Sequence, residues 1–148
     1  MKPLRAFLQR HGKIALDTSV FIYQLEANPR YVDLTDATFA WIEQPNHAGI
    51  ASTITMTELL VPAYRESDES RVDTLYGLLS RYEHIAWIPP DLEIADVAAR
   101  IRATYRMTTP YAIHAATAIR AKATGLVTND PIFSRVPGFE TLVIERLL

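Results

Sequence analysis

The sequence contains no cysteine and little glycine, with five glycines among 148 residues. Without cysteine, neither a disulfide bond nor a thiolate metal site can form, and we expect a cytoplasmic protein because a reducing compartment disfavours disulfides. No Gly-rich phosphate loop of the form G-x-G-x-x-G or G-x-x-x-x-G-K-S/T occurs. An unrelated nucleotide-binding or flavodoxin-like fold is therefore only a fallback interpretation.

Long apolar runs are missing as well. A membrane span needs about 18 consecutive apolar residues, and because the chain has no such run we predict no membrane segment. Residues 1–13 lack the small-residue cleavage pattern of a signal peptide. The chain is 49% hydrophobic and 22% charged and has no repeat or linker-like segment. We therefore expect one globular domain over residues 1–148.

Acidic residues are absent from two segments, although the net charge is −2. Residues 1–16 and 97–129 carry Lys and Arg without a single acid, whereas residues 26–96 hold thirteen acids against four arginines. This segregation predicts a basic face for phosphate groups, and solvated helix surfaces explain it equally well. The basic candidates in the second segment are Arg100, Arg102, Arg106, Arg120 and Lys122.

Short apolar runs alternate with amphipathic helical patterns. The predicted strands are residues 13–16, 49–54, 84–88, 126–128 and 142–144. The predicted helices are residues 20–25, 34–42, 59–63, 72–82, 91–106 and 109–125. Asp91 is predicted to cap the helix over residues 91–106, and Gly125 to end the helix over residues 109–125. Leu78 is predicted to lie on the apolar face of the helix over residues 72–82. This alternation implies a largely parallel sheet covered on both faces, with sites at the carboxyl ends of its strands.

Three acids follow predicted strands at that edge. Asp17 comes directly after the first strand, Glu58 lies one turn into the helix after the second, and Asp130 follows the fourth. Carboxylates gathered at one edge repel one another unless a cation neutralises them. Hard oxygen ligands of this kind suit Mg²⁺ or Mn²⁺, which can activate water for phosphodiester hydrolysis.

Each acid also has a purely structural explanation. Asp17 can cap the helix that follows it, and Asp130 can do the same with Pro131 at the first helical position. Thr55 and Glu58 have the spacing of a capping box. Composition and spacing alone therefore leave a metal site and a set of helix caps as alternatives.

Four ordered strings resemble the motifs of PIN domains: LDTSVFIY at 16–23, TEL at 57–59, TPYAIHAATA at 109–118 and LVTNDPIF at 126–133. The resemblance runs from about residue 14 to residue 144. It implies a three-layer α/β/α sandwich around a central, mainly parallel sheet of about five strands. It also implies Mg²⁺- or Mn²⁺-dependent cleavage of RNA. Relatives of this size are often VapC-like toxins of type II toxin–antitoxin systems, commonly dimeric and inhibited by an antitoxin.

The same resemblance assigns roles to individual residues. It implies that Asp17, Glu58 and Asp130 are metal ligands. It implies supporting hydrogen bonds around the metal and the scissile phosphate from Thr18, Ser19, Thr128 and Asn129. The basic candidates become possible RNA contacts.

The third motif departs from the family, because Tyr111 stands where PIN domains have Asp. A neutral phenol is a poor ligand for a hard cation and removes one negative charge. His114 and Asp96 are conceivable substitute ligands, and Tyr111 can instead stack on a base or fill the mouth of the site. The sequence therefore predicts a metal-dependent ribonuclease. The alternatives are a non-catalytic PIN module that binds RNA or a protein, and a toxin inactivated by this one change.

Overall fold

A computed structural model describes all 148 residues and shows one five-stranded sheet in which every neighbouring pair is parallel. The strand order is β3-β2-β1-β4-β5. The strands are β1 (Lys13–Leu16), β2 (Ala48–Ser52), β3 (Ile85–Ile88), β4 (Gly125–Thr128) and β5 (Glu140–Val143). β1 and β4 lie side by side in the middle and are apolar along their length because helices cover both faces.

Seven α-helices and two short 3₁₀ helices connect and flank the strands. The α-helices are α1 (Lys2–Gln9), α2 (Thr18–Leu25), α3 (Val32–Ile42), α4 (Ile54–Arg65), α5 (Glu69–Ser80), α6 (Leu92–Tyr105) and α7 (Thr109–Arg120). The 3₁₀ helices are Pro131–Arg135 and Ile144–Leu147. None of the helices combines the length and the apolar character that crossing a membrane requires.

The sheet separates two apolar cores. Alternate residues of β1 point to opposite faces, so that Leu16 packs with Phe7, Phe21 and Ile42, and Ala15 packs on the other side. The second core is formed largely by α6 and α7, whose alanines let these helices approach the sheet closely. The predicted three-layer α/β/α sandwich with a parallel central sheet is confirmed.

The structure corrects several boundaries. α1 was not predicted, although Leu4, Phe7 and Leu8 bury one stripe of it against the first core. The second strand ends at Ser52, because α4 already begins at Ile54. Leu78 on α5 is 55% exposed, although it lines a shallow apolar pocket with Phe21 and Leu79. The cap at Asp91 is confirmed, since its side chain accepts from the Ile94 N–H at 2.8 Å.

Gly125 does not end α7, as the sequence predicted. The helix ends at Arg120, Lys122 takes the left-handed turn conformation at φ 60°, and Gly125 is the first residue of β4. A Cβ atom there would lie 2.8 Å from His11 Cδ2 and 2.9 Å from Phe7 Cζ. Glycine is needed because α1 and the segment after it pass directly over the start of the strand.

Candidate active site at the carboxyl edge of the sheet

A depression of about 290 Å³ lies over the carboxyl ends of β1 and β4. It contains all three predicted acids, the replaced third-motif residue and three of the four predicted supporting residues. Its lining residues are Asp17, Thr18, Ser19, Ile22, Tyr23, Glu58, Tyr111, His114, Asn129 and Asp130. The remaining supporting residue, Thr128, hydrogen bonds directly to Asp17. No lysine or arginine lines this acidic depression.

Asp17 is buried at the start of α2, with 4% of its surface exposed. Its Oδ1 accepts from the Ser19 N–H at 3.1 Å and the Ser19 hydroxyl at 2.5 Å, and its Oδ2 accepts from the Thr128 hydroxyl. Burial nevertheless raises the pKa of Asp17, because these donors only partly replace the lost water. Asp17 is thus a helix cap, as the structural alternative predicted, and also a buried carboxylate without a cation.

Glu58 is held by two side chains from other helices. Its Oε1 accepts from the Thr18 hydroxyl at 2.9 Å and from His114 Nε2 at 3.0 Å. The His114 hydrogen bond holds the pKa of Glu58 below its ordinary value. The capping-box alternative is wrong, because α4 begins at Ile54 and the buried Thr55 hydroxyl instead bonds that of Thr18, at 3.0 Å. His114 therefore orients Glu58 and does not replace the missing third acid.

Asp130 and Tyr111 face each other across the depression. Asp130 accepts from the Ile132 N–H at 3.0 Å and so caps the 3₁₀ helix that opens at Pro131, as its structural alternative predicted. The Tyr111 ring packs edge-on against Phe133, with centroids 5.4 Å apart. The neighbouring Asp130 carboxylate, together with burial, raises the pKa of Tyr111 to about 12. Tyr111 is consequently a neutral phenol beside an acid.

The donor set fits a hydrated hard cation and not a closed cage. No three His, Asp or Glu side chains are close enough together to hold one metal ion among them. Mg²⁺ in proteins, however, is often held by only one or two carboxylates and several waters. Asp17, Glu58 and Asp130 offer such oxygens in one depression that has no competing lysine or arginine.

The basic candidates lie outside the acidic depression. Arg100 pairs with Asp96 at 3.2 Å, and Arg120 pairs with Glu93. Because the Asp96 side chain is 63% exposed and engaged with Arg100, it is not a substitute ligand for the site. Arg102, Arg106 and Lys122 are exposed. Acids of α6 thus neutralise part of the positive charge that the sequence concentrates in residues 97–129. Contact between RNA and the basic candidates stays a prediction.

Two lining residues were missed by the sequence reasoning, Ile22 and Tyr23. They lie three and four residues after Ser19 on α2, and this spacing places them on the same helix face as Ser19. The spacing within the first motif was therefore a usable signal. Tyr23 also contacts a predicted site residue, because its hydroxyl accepts from Asn129 Nδ2 at 3.0 Å.

A parallel α/β/α sandwich with carboxylates gathered at one strand edge describes a class of α/β domains whose site lies outside the carboxyl ends of the strands. A family model described as PIN domain matches residues 14–139, and the chain belongs to the PIN domain family. The membership predicted from the four motifs is confirmed. No curated protein matches this sequence.

Solved structures of bacterial complexes share the fold. DNA-bound VapBC from Salmonella typhimurium matches with a TM-score of 0.68 at 23% identity, over 88% of this chain and 96% of that one. FitAcB from Neisseria gonorrhoeae matches with a TM-score of 0.65 at 22% identity, over 87% and 96%. VapBC2 from Rickettsia felis, bound to a promoter DNA fragment, gives 0.65 at 18% identity, over 88% and 97%. At these identities the likeness establishes the common fold.

Proposed function

We propose that this PIN domain is a metal-dependent ribonuclease whose site acids are Asp17, Glu58 and Asp130. The observation that carries the proposal is the acidic depression itself, which three carboxylates line without a lysine or arginine. Acids gathered in this way at the carboxyl edge of a parallel sheet are costly to a fold and are typical of functional sites. RNA is the proposed substrate, and hydrolysis of a phosphodiester bond is the proposed reaction.

The proposed cofactor is Mg²⁺ or Mn²⁺, bound directly by one or two of these acids and reached by the remaining acid through the waters of the ion. When bound, such an ion neutralises charge on a phosphate and lowers the pKa of a water. The chain's own residues keep the acids in place for this task. Ser19 and Thr128 fix both oxygens of Asp17, and Thr18 with His114 fixes one oxygen of Glu58. The other oxygen of Glu58 receives no hydrogen bond from the protein and can face a ligand.

We further propose that the protein is the toxin of a toxin–antitoxin pair, acting in the cytoplasm as a homodimer and as a single PIN domain over residues 1–148. The support is the common fold with VapBC and FitAcB complexes and with a toxin–antitoxin complex from Klebsiella pneumoniae. The partner under this proposal is an antitoxin protein that binds the toxin and prevents cleavage.

A second candidate function is a non-catalytic PIN module that binds RNA or a protein partner. Tyr111 favours it, because a neutral phenol beside Asp130 occupies the third acidic position, where the family has a carboxylate. A binding module would hold RNA without a divalent cation and leave it intact. A nuclease would lose cleavage when the cation is removed.

The deciding experiment is cleavage of single-stranded RNA by the unmodified protein, Tyr111→Asp and Asp17→Asn across a Mg²⁺ and Mn²⁺ series. We expect the unmodified protein to cut, Asp17→Asn to be inactive, and EDTA to abolish cleavage. If only Tyr111→Asp cuts, Tyr111 has switched off a nuclease scaffold and the binding function replaces the enzyme. No cleavage by either active-site variant or the unmodified protein would contradict the ribonuclease proposal.

A further inference from the structure

Asn129 lies at the rim of the acidic depression with both ends of its amide engaged. Its Oδ1 accepts from the Glu145 N–H at 2.8 Å, and its Nδ2 donates to the Tyr23 hydroxyl at 3.0 Å. These two bonds fix which way the amide faces. They also tie the rim to the C-terminal 3₁₀ helix, which begins at Ile144, outside the residues that match the family model.

The Glu145 side chain anchors that 3₁₀ helix to the segment between α2 and α3. Its Oε2 accepts from the Tyr31 hydroxyl at 2.6 Å and from Arg30 Nε at 3.3 Å, and Arg30 also pairs with its Oε1. The hydrogen bond to Glu145 raises the pKa of Tyr31, so the phenol is a donor. Glu145 therefore makes contacts through both its backbone and its side chain.

Tyr31 closes the ring of contacts. Its aromatic ring lies 4.3 Å from that of Tyr23, with 30° between the planes. Glu145, Asn129, Tyr23 and Tyr31 thus contact one another in a closed circuit, and two of them line the acidic depression. Closed networks of this kind restrain their members more than separate pairs do.

We infer that Glu145 is a positioning residue, which sets the Asn129 amide and the Tyr23 hydroxyl at the side of the depression where RNA binds. This inference rests on the proposed function for the identity of the ligand. Asn129 was assigned by family resemblance to support the scissile phosphate. The structure shows its amide oriented by Tyr23 and Glu145, so its contribution to RNA binding depends on a residue far along the chain.

Glu140 supplies a matched control. It also bridges two partners, Arg10 and His11, and its side chain is 41% exposed against 45% for Glu145. It begins β5 at the opposite, amino edge of the sheet, where its register partner is Gly125. Removing either acid breaks a comparable surface cluster. Only the Glu145 cluster reaches the rim of the acidic depression, through the Glu145 N–H on Asn129 and through Tyr31, which packs on Tyr23.

The test compares Glu145→Ala, Glu145→Gln and Glu140→Ala by NMR of the Asn129 side-chain amide, whose signals are identified by their loss in Asn129→Asp. RNA affinity is measured by anisotropy with Ca²⁺ replacing Mg²⁺, so that binding is separated from cleavage. We expect Glu145→Ala to shift the amide signals and weaken RNA binding by about tenfold. Glu145→Gln keeps an acceptor for Tyr31 and should restore the signals and most of the affinity, while Glu140→Ala changes neither.

Unshifted Asn129 signals in Glu145→Ala would overturn the inference, as would an equal shift in Glu140→Ala. Shifted signals with unchanged RNA affinity would overturn the connection to RNA binding. If the unmodified protein binds no RNA, the proposed function fails, and the amide signals alone decide whether Glu145 positions Asn129. The NMR measurement needs neither RNA nor a metal and is therefore independent of nuclease activity.

Discussion

At the amino edge of the sheet, Glu140 lies between Arg10 and His11, and the His11 ring also bonds the Thr124 hydroxyl at 2.8 Å. At the carboxyl edge, the three acids of the depression meet only hydroxyls, N–H groups and a histidine. The amino edge pairs its carboxylate with an arginine, and the carboxyl edge has no lysine or arginine among its lining residues. Natural folds tolerate acids gathered in this way mainly where they serve a function.

Glu140 at the amino edge and Asp17 at the carboxyl edge have pKa values shifted in opposite directions. Arg10 holds the pKa of Glu140 below its ordinary value, whereas burial raises the pKa of Asp17. Ionised Glu140 therefore stabilises the folded state, and ionised Asp17 destabilises it. The comparison predicts that substitutions at the amino edge will affect stability alone and that those at the carboxyl edge will separate activity from stability.

Asp17→Asn should show the largest effect. We expect RNA cleavage to fall by at least about 100-fold, because the substitution removes the most buried of the three proposed ligands. The free energy of unfolding should stay the same or rise, because Asn can still accept from Ser19 and no longer carries a buried charge. Initial cleavage rates and urea denaturation of the same preparation test both parts.

A concurrent loss of stability in Asp17→Asn would contradict the comparison, because it would mean that the carboxylate supports the fold. The matched acid at the other edge is the control. Glu140→Gln should retain cleavage within about twofold, since surface ion pairs of this kind contribute less than about 1 kcal/mol to stability and this one is remote from the depression.

Gly125→Ala tests the amino edge by adding a methyl group where the backbone is tightly packed. The added methyl would meet His11 and Phe7 at distances below 3 Å, and His11 and the Phe7 ring are themselves packed against each other, 4.7 Å apart. We expect a destabilisation of about 1–3 kcal/mol, as for overpacking in general. Cleavage per folded molecule should not change. Thermal denaturation with an activity assay well below the transition measures the two quantities separately.

The fold was largely predictable because its signals are local. β1, the Asp91 cap and the start of α7 at Thr109-Pro110 follow from apolar runs, capping residues and proline. α1 was not predicted, since its single apolar stripe is short and is stabilised by packing against the first core. The role of Gly125 depends on His11 and Phe7, and no local pattern reveals such a contact.

The acids of the candidate site could be predicted from the sequence, but the side chains that bond to them could not. Parallel topology brings Asp17 and Asp130 to one edge because β1 and β4 are neighbours. The hydrogen bond from His114 to Glu58 joins α7 to α4, and the pair formed by Arg120 with Glu93 joins α7 to α6. Such contacts depend on how helices pack across the sheet, and spacing along the chain does not encode that packing.

Tyr111→Asp sharpens the comparison by adding a fourth acid to the carboxyl edge. Without divalent cations we expect a loss of about 1 kcal/mol in the free energy of unfolding, because a carboxylate replaces a neutral phenol beside Asp130 and a ring packed on Phe133. Mn²⁺ should then stabilise this variant more than the unmodified protein, since an ion that binds the folded state raises its stability. Thermal shifts across a Mn²⁺ series measure the difference.

An equal response to Mn²⁺ in both proteins would show that a carboxylate at position 111 adds nothing to ion binding. Tyr111→Phe is the control for the lost hydroxyl, because it keeps the ring on Phe133 and adds no charge. It should not gain sensitivity to Mn²⁺. A Mn²⁺ response in Tyr111→Phe as large as that in Tyr111→Asp would mean that removal of the hydroxyl, and not the added carboxylate, creates the binding site.

The smallest effects are expected in the pH dependence of stability, and they should have opposite signs for Asp17 and Glu140. The raised pKa of Asp17 makes the folded state bind more protons than the unfolded state above the ordinary value of 3.8, so stability falls as pH rises through that window. The pKa of Glu140 is lowered, so this carboxylate contributes stability above its ordinary pKa of 4.5, and that contribution is lost as pH falls through the pKa of the folded state.

Urea denaturation of the unmodified protein, Asp17→Asn and Glu140→Gln from about pH 4 to about pH 7 isolates each contribution. Relative to the unmodified protein, Asp17→Asn should gain stability as pH rises, and Glu140→Gln should lose by less than about 1 kcal/mol, because that ion pair is largely solvent-exposed. Parallel pH curves for the three proteins would mean that neither carboxylate changes its proton affinity on folding, and the proposed difference between the edges would then be one of geometry alone.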